Sequence, residues 1–425
     1  MSPVKVRVRM YTVGFGDCFL IVIDGTPVRT ILVDAGFHGN GKGAFSGNEL
    51  AAQVLTDLET IVGRKRVDVL VATHRHQDHV YAFNSKTWDD LEVGEVWLPW
   101  VEDRDDPKAV GLWKKKQSFA LALDQARPSF NLSPAQDEEV RWHLWNAGVG
   151  PDMPGFAGWS NEGALDRLHD GLPKRNRLEP RFLPVKDELP YTFTTDVLPG
   201  VTVHVLGPPR DPDQIEELDP VVDGESYRAL ALRGMEQGGG AAEAIPSPFP
   251  ETWVVPADEK EPKPLQADDE QRMQDLARTG DGLRAAQALD DMINSTSLVL
   301  VLEIGSLRLL LPGDAEWSTW KRILDNDAAR LLVRGCRFFK VGHHGSHNGT
   351  PKTLVEQVLG SNVHAMVSTQ EGPGNYRNGI PLKELLDALL LKGASIARSD
   401  QMNALPHAYT AEPGGKWIDL EIVEP

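Results

Sequence analysis

Apolar and polar positions alternate at the start of the chain. Val4, Val6, Val8 and Met10 are interleaved with Lys5, Arg7 and Arg9, the period of a half-buried strand. Phe19–Ile23 and Thr30–Val33 follow as short apolar runs, with a Gly-Thr-Pro turn between them. Over Asn48–Val62 the spacing changes to that of a helix, with Leu50, Val54, Leu58 and Ile61 on one side. Val67–Ala72 then reads as a buried strand, and it ends on the polar run Thr73-His74-Arg75-His76-Gln77-Asp78-His79.

From Val101 to about Gly200 the texture changes. Trp113, Trp142, Trp145 and Trp159 punctuate a polar stretch, in which Trp113–Ala126 predicts a helix. Gly234–Asp268 is rich in Gly, Pro and acidic residues, the composition of a loop or linker. A helical segment is expected over Glu270–Met292. Regular patterning returns at Thr296. Leu298–Glu303 and Leu307–Leu311 flank Ile304-Gly305-Ser306 and predict a β-hairpin. A helix over Ala315–Leu332, a strand at Phe338–Val341, a helix over Leu382–Leu391 and two closing strands complete the reading. The simplest organisation is one domain over 1–425, with a core of 1–100, 196–210 and 293–425. Residues 101–195 form an insertion expected to wall the active-site cleft, and 211–292 a flexible loop plus a helical insertion.

Composition narrows the class. The chain has 425 residues, 41% hydrophobic and 25% charged, which is globular and not disordered. Its formal net charge of -18 opposes a generic nucleic-acid coat, because a broadly acidic surface repels phosphate backbones and anionic lipids. A metal-lined or locally basic cleft still accommodates phosphate, since a bound cation dominates its own site. Lys114-Lys115-Lys116 and Arg64-Lys65-Arg66 are the runs that could form such a track, although solvated surface faces are their ordinary reading. The only cysteines, Cys18 and Cys336, allow one disulfide but no disulfide framework, and a reducing compartment fits better. The N-terminus lacks a signal-type apolar run, and no stretch approaches the roughly 20 apolar residues of a membrane span. The expectation is a cytoplasmic protein with no membrane partner.

Chemistry concentrates in the His74–His79 run. Of 12 histidines, three fall here and three more at His343, His344 and His347. Imidazole and carboxylate are natural ligands for zinc and similar divalent metals. His74 and His76, two apart on an extended turn, suit one ion. Asp78 and His79, on the other side of the turn, suit a second. Two metals about 3.5–4 Å apart can clamp the attacking and leaving oxygens of a displacement.

The HxHxDH pattern resembles the signature of the metallo-β-lactamase superfamily. Together with VGFGDCFLIV, ILVDAG, NSTSLVLVL, LLLPGD and KVGHHGS, in that order, it is similar to the nuclease-like domain of ComEC-type competence proteins, without their membrane channel. The resemblance implies an α/β fold, the αββα sandwich of the metallo-β-lactamase fold, here with two insertions. It implies metal ligation by His74, His76, Asp78, His79, Asp314 and His344, with Asp314 bridging the two ions. Asp34 and Asp17 would lie behind the ligands, Asp34 orienting a ligand histidine. Asp78, His343 and His344 would take part in catalysis, one of the two adjacent histidines binding metal or donating a proton to the leaving group. The cofactor would be a divalent metal, two Zn2+ or alternatively Mn2+.

Some positions depart from the family pattern. Val80-Tyr81-Ala82-Phe83 replaces its glycines after HxHxDH, and no clear counterpart exists for the ligand histidine that usually precedes the bridging Asp. His204 is the nearest candidate. Asn378 and Ile380 occupy a late segment where a histidine is usual, so one metal position could be weak. Asn294 and Ser297 could shape the loop beside the site or simply begin a strand.

Three functions follow. The first is a metal-dependent phosphodiesterase or nuclease acting through activated water, with nucleic acid or a nucleotide-type phosphodiester as partner. The second is a hydrolase of a small ester, lactone, amide or signalling nucleotide. The third is an inactive binding module that keeps the fold.

Overall fold

The alternation at Val6, Val8 and Met10 becomes strand β1, Lys5–Tyr11, whose apolar face joins the central core. In the computed structural model, residues 3–38, 43–130, 132–149, 161–215, 282–346, 348–370 and 380–424 are described. β1 pairs antiparallel with β2, Phe19–Ile23, which pairs antiparallel with β3, Arg29–Val33. Helix α1, Gly47–Val62, then crosses to β4, Arg66–Val71, parallel to β3. Ser46 and Glu49 cap α1 reciprocally, and Gly63 ends it in the left-handed region at φ 77°. β5, Glu92–Pro99, and β6, Arg181–Leu183, extend this sheet in parallel.

The second sheet begins with β7, Tyr191–Thr194, and β8, Val201–Gly207. It continues through the hairpin of β9, Val299–Ile304, and β10, Leu307–Leu311, which turns at Gly305 with φ 59°. β11, Phe338–Lys340, β12, His364–Val367, and β13, Ser395–Arg398, add in parallel. β14, Tyr409–Ala411, and β15, Trp417–Val423, return to the first sheet beside β1. The orders are β14-β15-β1-β2-β3-β4-β5-β6 and β13-β12-β11-β10-β9-β8-β7.

The apolar runs supply three layers of contact. Phe19, Ile21, Leu300, Leu302 and Leu309 meet between the sheets. Leu20, Val22 and Leu32 face outward onto Leu50, Val54 and Leu58 of α1. Val299, Val301 and Leu310 face outward onto Trp320, Val333 and Leu385. The result is a helix–sheet–sheet–helix sandwich. Fully burying each such leucine contributes about 1.5–3 kcal/mol relative to leaving it exposed.

Several local expectations need correction. The helix read over Ala315–Leu332 is two, Trp317–Asp325 and Asp327–Arg334. Asn326 is extended and its side chain accepts from Ala329 N at 2.9 Å, capping the second helix and ending the first. Three strands follow Lys383–Leu391, not two, because the three-residue β14 is too short to leave a periodic signal. Two core strands, β6 and β7, come from within the 101–195 stretch. Cys18 and Cys336 are both free and buried, so they form no disulfide. Residues 216–281, which include the whole of the expected Gly234–Asp268 loop and the start of the segment read as helical, lie outside the described residues. Among those described, no helix is long and apolar enough to cross a membrane.

The inserted segments form a helical unit. Helices α3, Pro107–Ala126, and α4, Pro134–Asn146, pack with the helix Gly282–Asn294 through Phe119, Leu123, Val140, Leu144, Leu289 and Ile293. Stretches far apart in sequence thus share one small core.

Candidate metal centre

The site lies beyond the carboxyl ends of the parallel strands, the usual crevice for ligands in such sheets. Asp34 follows β3, the His74–His79 loop follows β4, Asp314 follows β10, and His343 and His344 follow β11. Asp17 sits in the turn from β1 to β2. The loop after β4 runs extended to His76 and then makes one helical turn, Gln77–Val80.

Backbone contacts hold that loop in place. Asp17 N donates to Asp78 O at 2.8 Å, and Ala35 N donates to His79 O at 2.8 Å. A Cβ on Gly36 would stand 2.3 Å from His79 N, so only glycine permits this approach. The GFGDC and DAG segments are therefore the cradle of the histidine loop. Asp34 has φ 57°, a strained conformation for a non-glycine residue. Its two oxygens accept from Thr73 N and Thr73 Oγ1, each at 2.7 Å, and the second also accepts from His79 Nδ1 at 2.8 Å.

Three imidazoles, His79, His344 and His74, each have one nitrogen engaged by an oxygen, and a fourth, His76, lies close to a carboxylate without a hydrogen bond to it. His79 Nδ1 meets Asp34, while its Nε2 lies 3.1 Å from Asp314 Oδ2. His344 Nδ1 donates to Ser368 O at 2.8 Å, and its Nε2 lies 2.9 Å from Asp78 Oδ2 and 3.7 Å from Asp314 Oδ2. His74 Nδ1 lies 3.3 Å from Thr73 Oγ1, and its buried Nε2 has no hydrogen-bond partner among the described residues. His76 Nε2 lies 3.1 Å from Asp290 Oδ1. Fixing one ring nitrogen so that the other can bind is how proteins orient histidine ligands. Asp78, His79, Asp314 and His344, all buried, offer ligand atoms within 4.8 Å of one another. Asp17, Asp34 and His79 do the same. The unpartnered Asp78 Oδ1 and His74 Nε2, together with this donor set, fit a divalent cation.

The electrostatics fit as well. Burial would lower the His79 imidazole, but Asp314, Asp34, Asp78 and Asp17 more than offset it and hold its pKa well above the usual value. Burial lowers His74 strongly, reinforced by His79 and His76, so its ring stays neutral. Burial would raise Asp314, yet His79, Lys340 and His344 hold it well below the carboxylate range. Lys340 Nζ donates to Gly313 O and Asp314 Oδ1, both at 3.0 Å, and pairs with Asp17. A divalent cation would replace the proton of His79 amid these carboxylates.

His343 and His344 divide. His344 joins the cluster with Asp78, and its ring lies 4.2 Å from that of Phe15. The His343 ring turns the other way, its Nδ1 3.1 Å from Asn348 Oδ1 and 3.4 Å from Glu316 Oε1, while its backbone N donates to Asp314 Oδ1 at 3.1 Å. His204, on β8, lies beside Thr192 at 2.9 Å and Glu303 at 3.9 Å, apart from the cluster. Ser297 Oγ accepts from Asp314 N at 3.1 Å, and Asn294 Nδ2 donates to Glu316 Oε1 at 3.3 Å. His347 and Asn378 lie outside the described residues.

Sequence reading missed Asp290, His143, Lys340 and Glu316. Lys340 opens the KVGHHGS segment and was legible there. Asp290 and His143 lie on helices of different insertions and carried no signal. The first insertion also grips the loop directly. Arg75, between two candidate ligands, is held by Glu102 through Nε–Oε1 at 2.9 Å and Nη2–Oε2 at 2.7 Å. Its guanidinium lies 3.3 Å from the centre of the Trp113 ring. Trp142 Nε1 donates to Gln77 Oε1 at 3.2 Å.

The family model described as the metallo-beta-lactamase superfamily matches residues 11–85. That span runs from the end of β1 through the His74–His79 loop. The chain has the metallo-β-lactamase fold. Members of that superfamily are in general metal-dependent hydrolytic enzymes. No curated protein matches the chain.

Proposed function

We propose that this chain is a metal-dependent phosphodiesterase, with His74, His76, Asp78, His79, Asp314 and His344 holding two divalent cations, zinc by preference. The observation that carries the metal reading is the buried cluster of Asp78, His79, Asp314 and His344, whose ligand atoms lie within 4.8 Å of one another. The phosphodiester reading rests on the likeness to ComEC-type segments, KVGHHGS above all. A bound divalent cation would polarise a phosphoryl oxygen and acidify water toward a pKa of about 7. In this chain Asp34 fixes the His79 ring, Ser368 O fixes His344, and Lys340 balances Asp17 and Asp314. His343, whose ring turns toward Asn348 and Glu316, would have to swing back to protonate a leaving oxygen. The helical insertions would wall the cleft.

Hydrolysis of bis(p-nitrophenyl) phosphate by metal-reconstituted protein, and its loss on chelation, tests this reading. No turnover with any of zinc, manganese or cobalt would reject it. Elemental analysis after metal-replete expression is expected to give at least one ion per chain, whereas less than about half an ion would favour a binding module. Chelation should also destabilise the fold, by about 2.7 kcal/mol per ion at a free metal concentration 100 times Kd, read as a lower melting temperature.

A small ester or signalling nucleotide is the second reading, and the basic runs favour it. Arg64, Lys65 and Arg66 face Glu92, Asp90 and Asp68, and Lys116 is buried with Nζ donating to Met292 O at 2.7 Å. Four of the six basic residues in these runs are thus already paired or buried, which leaves less charge for a polyanion. Binding of a long nucleic acid should fall steeply as salt rises, while a compact ligand should respond weakly. A salt titration with both separates the two.

A further inference from the structure

His76 differs from the other imidazoles in what holds it. Asp34 and Ser368, behind His79 and His344, belong to the core sandwich. The carboxylate behind His76 is Asp290, on the inserted helix Gly282–Asn294. Asp290 Oδ1 also lies 3.2 Å from His143 Nδ1 of α4, and Asn146 Nδ2 donates to it at 3.4 Å. His76, His143 and Asp290 are 3%, 2% and 8% exposed, so water competes little for these contacts. The two imidazole contacts are close approaches to the carboxylate and not hydrogen bonds: among the described residues, His76 Nε2 and both ring nitrogens of His143 are buried without a hydrogen-bond partner.

Asp290 and His143, like His76 itself, stand outside both groups of close ligand atoms found among the described residues. The two nitrogens of an imidazole diverge, so a carboxylate 3.1 Å from Nε2 biases the ring electrostatically toward presenting Nδ1 to a metal. The structure assigns Asp290, backed by His143, as the positioning carboxylate of His76, through which the inserted helices set the affinity of one of the two metal positions. This assignment rests on the metal-site reading above. It gives the insertions a role in building the metal site, and it offsets the family's absent ligand histidine by stiffening a ligand already present.

The test is a zinc titration of the chelator-treated full chain against a competing chromophoric chelator, for the wild type, Asp290→Ala and the near-isosteric Asp290→Asn. Losing an orienting partner typically costs 10–100-fold in metal affinity. Asp290→Ala is expected to weaken one binding step by about that factor and leave the other step unchanged. Asp290→Asn keeps an acceptor near His76 and should fall between Asp290→Ala and the wild type. Two unchanged steps in both variants would overturn the assignment, and so would equal weakening of both steps, the mark of a purely structural role. Should Asp290→Ala fail to fold, Asp290→Asn alone decides by the same criteria. A wild type that binds no zinc would sink the metal reading and this assignment together.

Discussion

Replacing Asp314 with alanine is expected to lower metal-dependent phosphodiester turnover by about a thousandfold or more, since the metal chemistry it supports is worth several kcal/mol and each 1.36 kcal/mol is a factor of ten. The reason is geometric. Asp314 Oδ2 lies 3.1 Å from His79 Nε2 and 3.7 Å from His344 Nε2, while Oδ1 accepts from Lys340 and from His343 N. One carboxylate therefore touches the histidine loop, the HHGS turn and the buried lysine. His76→Ala should fail in the same direction. His204→Ala is the control, because that ring sits on β8 beside Thr192, and its turnover should match the wild type. Equal turnover in Asp314→Ala, His76→Ala and the wild type would remove the metal chemistry from the account.

The second large effect is on stability. Glu102→Ala leaves the Arg75 guanidinium buried without its carboxylate, a change that costs about 3–5 kcal/mol in comparable buried pairs. The Arg75 and Glu102 side chains are 11% and 3% exposed, and Trp113 covers the guanidinium, so solvent cannot replace the lost partner. Urea unfolding should show a lower midpoint. Burial alone would raise the Glu102 carboxyl, but Arg75 more than offsets it and holds the pKa below the usual value. A depressed carboxylate contributes stability that is present above the unfolded pKa of about 4.3 and lost as pH falls through the folded value. The wild type should therefore lose part of its stability below about pH 4.3, and Glu102→Gln should lack that part. An unchanged urea midpoint in Glu102→Ala would show that the pair does not anchor the loop.

Much of the site was legible because its members sit in short, dense segments. His74, His76, Asp78 and His79 fall within one turn, and Asp314 and His344 follow strands whose apolar runs are unambiguous. Asp17 was legible as a position but not as a role, since its pairing with Lys340 joins the first strand turn to β11. The choice between His343 and His344 could not be read from adjacent letters. It depends on backbone at φ 47° and 51°, which sends one ring to Asp78 and the other to Asn348. The helix break at Asn326 was a local signal, a capping Asn before Asp, overridden in the reading by a long apolar period.

The sequence by itself determined the layers and supplied the candidate donors. Alternation and runs of apolar residues select which faces are buried, and that choice is local, made residue by residue through the period of strand or helix. Which donors converge was decided by the tertiary structure alone. Asp290, His143, Glu102 and Trp113 reach the histidine loop from separate insertions, through contacts whose partners lie far apart along the chain. Side-chain periodicity reports a residue's own face and not what stands opposite it, so only the packed fold could pair His76 with Asp290 and Arg75 with Glu102.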